Sequence, residues 1–285
     1  MNHVAVITDS TSYLPRGWAT RDGIGVVPVQ VIVAGRAFDE TDGDQAQKVA
    51  DALKDWQPVT TSRPTPARFL ESYVEAVANG ATHIVVATLS RDLSSTYESA
   101  LLAAQECSVP VTVIDSRTIG MALGFAAIAG AQAAKAGASG SEVAAVITRR
   151  SAAASTFFMV DTLEYLRRGG RIGAARAVMG QALQVKPILT VTDGSVVALE
   201  QVRTASKAVA RLEELAAAAI EAAVAREADV DVAVQHLVAE ERAGALATRL
   251  RVRYPRVAVD ECPVGGVVGA HAGPGLVCVV VSPRA

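Results

Sequence analysis

Four short stretches gather hydroxyls, two of them beside a carboxylate: Asp9-Ser10, Thr61-Ser62, Ser94-Ser95-Thr96 and Asp115-Ser116. Two chemistries suit such residues. Paired with serines, the carboxylates could do acid–base or phosphoryl-transfer work, so Asp9, Ser10, Asp115 and Ser116 form a candidate hydrolase or phosphotransferase edge. Hydroxyls at a helix start, next to unpaired backbone N–H groups, would instead hold an anion such as a carboxylate or phosphate. Plain helix capping explains the same hydroxyls without any ligand. The conventional motifs of catalysis are missing: there is no GxSxG elbow, no Walker A loop, no strand–GxGxxG–helix fingerprint and no HExxH. Of the histidines, His3, His83 and His236 fall at or within predicted strands and read as structural, while His271 sits in the glycine-rich run 265–275. That run reads either as backbone passing close to something or as a turn-rich connection. The cluster Arg167-Arg168-Gly169-Gly170-Arg171 reads either as a cationic site or as a helix end complementing its own dipole. No catalytic residue, metal ligand set or cofactor is expected.

The elements that must position these residues follow from periodicity. Residues 4–7, 83–87 and 111–114 are short apolar runs, each followed by one of the polar loops and then a helical pattern. Such alternation implies a parallel sheet covered on both faces, with the loops at its carboxyl edge, where ligands bind. Between the first two units, residues 26–33 are strand-like, 34–36 form a turn and 44–54 a helix. The segment 58–66 reads as a loop; Thr65 and Pro66 then start a helix to residue 77. The long Ala-rich helix spans about 118–135. After about residue 156 the pattern changes: strand 157–160, helix 162–168, and strands 188–191 and 195–199 joined by the hairpin signal Asp193-Gly194. Helices at 205–227 and 240–254 alternate with strands at 230–237, 257–259 and 276–281. The expectation is an α/β chain of two domains: residues 1–155 with a parallel sheet, and 156–285 an α+β unit with a mixed sheet.

Composition removes other classes. The chain has 285 residues, 51% hydrophobic and only 4% aromatic, with 27 Lys and Arg against 29 Asp and Glu. A large core is possible, whereas a nucleic-acid partner would need a basic field and stacking aromatics. Three separated cysteines, Cys107, Cys262 and Cys278, read as buried thiols in a reducing compartment. The start lacks a basic leader segment, and the longest weakly polar stretch, 119–131, is too short for a membrane span. A cytoplasmic protein with at most transient membrane contact is expected.

Taken in order, several segments together resemble the DegV family of bacterial fatty-acid-binding proteins over essentially the whole length. They are Ile7-Thr8-Asp9-Ser10-Thr11, Thr61-Ser62-Arg63-Pro64-Thr65-Pro66, Leu93-Ser94-Ser95-Thr96-Tyr97, Val113-Ile114-Asp115-Ser116, Asp161-Thr162-Leu163-Glu164-Tyr165-Leu166 and Gly169-Gly170-Arg171-Ile172-Gly173. Lys186-Pro187-Ile188-Leu189, Val202-Arg203 and Gly269-Ala270-His271-Ala272-Gly273-Pro274-Gly275 complete the series. The resemblance implies a lipid tunnel between the two domains, holding a long-chain fatty acid. It implies that Thr61 and Ser94, with Ser62 and Ser95 beside them, bind the carboxylate. It places Arg171, Arg203 and His271 around the head group and the partner. That partner is a separate ATP-dependent fatty acid kinase that makes an acyl phosphate, so the chain would be a carrier and not itself an enzyme. Ser95 departs from the family's usual Gly, Arg63 from a frequent Gln and Thr204 from a frequent Gly. The alternatives are the Asp9/Asp115 enzyme and a lipid sensor whose partner is not a kinase.

Overall fold

The computed structural model describes residues 3–40, 45–178 and 185–284. Its first half runs β1 (Val4–Asp9), α1 (Trp18–Asp22), β2 (Ile24–Val27), β3 (Gln30–Val33), β4 (Arg36–Asp39), α2 (Gln45–Lys54) and β5 (Val59–Ser62). It continues with α3 (Pro66–Ala78), β6 (His83–Thr88), α4 (Thr96–Ala104), β7 (Val111–Asp115), α5 (Met121–Lys135) and α6 (Gly140–Ala153). The rest is β8 (Ser155–Met159), α7 (Glu164–Arg168), β9 (Lys186–Thr192), β10 (Ser195–Val202) and α8 (Ala205–Val224). Then follow β11 (Val230–His236), α9 (Glu240–Arg253), β12 (Ala258–Pro263), α10 (Gly266–Ala272) and β13 (Val277–Pro283).

A four-stranded sheet, ordered β2-β1-β6-β7, is parallel throughout. Its strands alternate sides, as a period of two requires. Val4, Val6 and Val85 pack with α5 and α6, while Ile7, Ile84 and Val86 pack with Phe69 and Tyr73 of α3. The Ala-rich α5 is buried along most of its length because it lies between two sheets, and small side chains let it approach both. No helix among the described residues is long and apolar enough to cross a membrane.

The second sheet has six strands, β10-β9-β8-β13-β11-β12, antiparallel except for β11 with β12. One face, with Met159, Val232 and Val279, is covered by α8 and α9. The other, with Phe158, Cys278 and Val280, looks towards α5 and the first sheet. The Asp193-Gly194 hairpin is present, both residues having positive φ (51° and 83°), as a type I′ turn demands.

Several elements differ from the sequence reading. The run 26–33 is not one strand: it breaks at Pro28, β2 joining the parallel sheet and β3 a third, antiparallel sheet ordered β4-β3-β5. Proline has no N–H to continue a ladder. The loop expected at 58–66 contains β5, whose Thr and Ser residues satisfy the open edge of β3. A helix was not expected at 140–153, although Ser139 and Glu142 form a capping box there. The glycine-rich run folds in part as α10. The long helix starts at Met121. Asp44, expected to start a helix, lies outside the described residues, and α2 begins at Gln45. Among the cysteines, all free, Cys262 and Cys278 are buried but Cys107 only half-buried.

Candidate functional site

Between the six-stranded sheet, the parallel sheet's carboxyl edge and the small third sheet lies a cavity of about 360 Å³. Phe158 and Cys278 from the six-stranded sheet, Leu89 and Ile119 from the parallel sheet's loops, and Val267 from α10 give it apolar walls. Thr61, Ser62, Ser94, Ser95, Arg171 and His271 also line it. Six residues singled out from four separate segments therefore border one space. Arg203 does not: it is exposed, just beyond β10, and is absent from the lining.

Each polar residue is held differently. Thr61 is a strand residue of β5, paired with Val31 of β3, so it is not the helix-start residue expected. The cap of α3 is Thr65, whose hydroxyl accepts from the Arg68 N–H. The Thr61 hydroxyl lies 2.8 Å from Nε2 of His271. Burial, then the nearby Arg171 cation, pull the His271 pKa down to about 4, so the ring is neutral at pH 7. Its Nδ1 is buried without a hydrogen-bond partner among the described residues, and a Cβ on Gly169 would lie only 2.0 Å from that nitrogen. An orphaned N–H is rarer in proteins than an orphaned lone pair, which assigns the ring proton to Nε2. His271 then donates to Thr61, and the Thr61 hydroxyl proton is left to donate into the cavity.

Ser94 and Ser95 follow β6. Ser95 occupies the N-cap position of α4 but makes no side-chain capping bond. The Ser94 hydroxyl shares a 2.9 Å hydrogen bond with the Thr96 hydroxyl and keeps bonding capacity in reserve. The Ser62 hydroxyl reaches the Arg63 carbonyl at 3.4 Å. Arg171 donates from Nε to the Leu93 carbonyl (2.9 Å) and from Nη1 to the Gly169 carbonyl (2.6 Å). The guanidinium thus fixes the loop carrying Ser94 against the end of α7 and keeps a positive charge at the rim.

The alternative edge looks different. Asp9 accepts from the Thr11 N–H (3.0 Å) and hydroxyl (2.5 Å) with Oδ1, and from the Leu89 N–H (2.7 Å) with Oδ2. Asp115 Oδ1 accepts from the Arg91 and Arg117 backbone N–H groups. Ser10 donates to Glu40, and Ser116 to the Thr118 carbonyl. None of these four residues borders the cavity. They join loops to one another, which counts against their use as an enzyme edge. Among the described residues no group of three His, Cys, Asp or Glu side chains is placed to hold a metal ion.

Of the polar cavity residues, Tyr13, Thr156 and Gln235 were not singled out from the sequence, and none carries a local signal. Gln235 is a buried strand residue whose Oε1 accepts from the Met121 N–H (2.9 Å), a contact that only the packing of β11 on the start of α5 creates.

A family described as uncharacterised protein, DegV family, matches residues 3–284. A DegV domain-containing protein of Streptomyces coelicolor is 50% identical over 283 residues, 99% of each chain. Among solved structures, a Thermus thermophilus DegV family protein described for its fatty acid binding superposes with a TM-score of 0.91 at 30% identity, covering 99% of each chain. The Bacillus subtilis DegV, described as a fatty acid binding protein, gives 0.88 at 29% identity, covering 99% of this chain and 100% of that one.

Proposed function

From the premise that the chain belongs to the DegV family, we propose that it binds one long-chain fatty acid in this cavity and presents the carboxylate to a separate ATP-dependent kinase. The observation that carries the reading is an apolar cavity with two hydroxyls of unused capacity, Thr61 and Ser94, bordering it from different elements. The tail provides the affinity: each buried methylene contributes ~0.8 kcal/mol before ordering costs.

The polar end suits a substrate that must react later. Two neutral hydroxyl donors hold a carboxylate without the bidentate lock of an Arg pair. One oxygen can then remain available as the nucleophile towards the γ-phosphorus of ATP on the kinase. Arg171 and a neutral His271 complete the head-group end, with Ser62 and Ser95 beside the hydroxyls. Arg203, exposed and away from the cavity, is assigned to the partner's side. In this reading the chain is a carrier.

Mass spectrometry of lipid extracted from freshly purified protein is expected to find about one fatty acid per chain. Removing that lipid should lower the melting temperature, and adding it back should restore it. No lipid, and no melting shift with added fatty acid, would overturn the carrier reading.

A further inference from the structure

We propose that Glu40 is a positioning residue for the carboxylate end of the cavity, its Oε1 holding Tyr13 and the first turn of α10 where His271 meets Thr61. This rests on the reading that the fatty-acid carboxylate sits at Thr61 and Ser94.

Glu40 directly follows β4 and is only 6% exposed. Its backbone N–H donates to the Val29 carbonyl (2.8 Å), which anchors it at the root of the small sheet that carries Thr61. Its side chain crosses to two other elements. Oε1 accepts from the Val267 N–H in the first turn of α10 (2.8 Å) and from the Tyr13 hydroxyl (3.1 Å), and Oε2 accepts from the Ser10 hydroxyl (2.8 Å). The ring of bonds is closed by the Val268 N–H donating to the Tyr13 oxygen and the Val29 N–H to the Ser10 oxygen, both at 3.0 Å.

The short α10 has no capping side chain of its own. A helix start leaves backbone N–H groups unpaired, and here Glu40, 227 residues away, accepts one of them directly. The approach is so close that a Cβ on Gly265 would lie 2.2 Å from Oε1. Val267 and His271 are four residues apart, so they stand one above the other on the helix. Displacing the first turn therefore moves His271 relative to Thr61. Tyr13, Val29, Val267 and Val268, all in this network, also line the cavity. Only Oε1 touches α10, so the requirement is for an acceptor at that point and not for a charge.

Four variants test this, using palmitate binding by the full chain and the His271 titration followed by NMR. Glu40→Ala is expected to weaken palmitate binding ~10–100-fold, the cost of a lost bond to a charged acceptor. It should also move the His271 pKa from about 4 back towards 6.5, as the ring loses its enclosure. Glu40→Gln can keep the oxygen on Val267 and Tyr13 and donate its NH₂ to Ser10, so it should restore both readouts. Leu212→Ala damages the core between α8 and the six-stranded sheet, lies outside the cavity lining, and should lower the melting temperature without moving the His271 titration. Tyr13→Phe decides the matter if Glu40→Ala does not fold; it should weaken binding several-fold and shift His271 in the same direction. Glu40→Ala behaving like the unsubstituted chain, or Glu40→Gln failing as badly as Glu40→Ala, overturns the proposal. Should the unsubstituted chain bind no palmitate, the fatty-acid reading falls, while the His271 titrations still judge the positioning role.

Discussion

Asp9 and Glu40, neither of which lines the cavity, have both carboxylate oxygens engaged by hydrogen-bond donors. Thr61 and Ser94, at the cavity itself, each have a single side-chain partner among the described residues. Both groups are polar, and Asp9, Thr61 and Ser94 were all candidates for chemistry. A buried carboxylate with three hydrogen bonds spread over both oxygens joins elements in one arrangement and has little left to give a ligand. A hydroxyl with one bond made and one in reserve can be oriented by the protein and still donate outward. In the proposed reading, the hydroxyls with capacity in reserve belong to the binding site and the heavily bonded carboxylates to the frame.

The largest expected effect sharpens the frame side of this contrast. Burial is the first cause raising both carboxylates, Asp9 to about 6 and Glu40 to about 7, from ordinary values of 3.8 and 4.5. A folded-state pKa above the unfolded one means that stability is fully present below the unfolded pKa and lost as pH rises through the folded one. His271 has the opposite sign, since its lowered pKa costs stability as pH falls below 6.5. Comparison with Glu40→Gln isolates one group: relative to that variant, the unsubstituted chain should lose about 3 kcal/mol between pH 4 and pH 8. Denaturant unfolding of lipid-free protein at several pH values measures it. A constant difference would mean that the Glu40 carboxylate titrates normally and that the frame is not desolvated.

The binding side is next. Thr61→Val and Ser94→Ala should each cost ~10–100-fold in fatty-acid affinity, or ~1.5–3 kcal/mol, and the double variant less than their sum because they share one ligand. Lipid-free stability should change by less than ~1 kcal/mol for Ser94→Ala, since that hydroxyl caps no helix, and fall by ~1–3 kcal/mol for Thr61→Val, which leaves the His271 Nε2–H without its acceptor. Lost stability with unaltered affinity would put these hydroxyls with the frame and erase the contrast. The smallest effect concerns Arg203→Ala. The residue is exposed and away from the cavity, so fatty-acid affinity should stay within about twofold. Acyl-phosphate formation with the kinase should slow several-fold, by less at high salt, as expected of a rim charge. A large loss of lipid affinity would bring Arg203 into the head-group site.

The sequence by itself determined the features that depend on neighbours in the chain. The alternation of apolar runs and helices pointed to the parallel sheet, Asp193-Gly194 to the β9–β10 hairpin of the other sheet, and Thr65-Pro66 to the start of α3, because period and turn chemistry are local. Ser139 and Glu142 carry a local signal of the same kind, although no helix was expected there. Only the tertiary structure decided that Thr61 belongs to a strand, since β5 exists only when β3 offers an unpaired edge. Only packing set the Thr61 hydroxyl against a histidine 210 residues away. It also buried Glu40, which the sequence shows among other acidic residues with no sign of an apolar environment. A carboxylate's role depends on how many donors reach it and how much water is excluded, and both are set by segments distant in the chain that fold onto it.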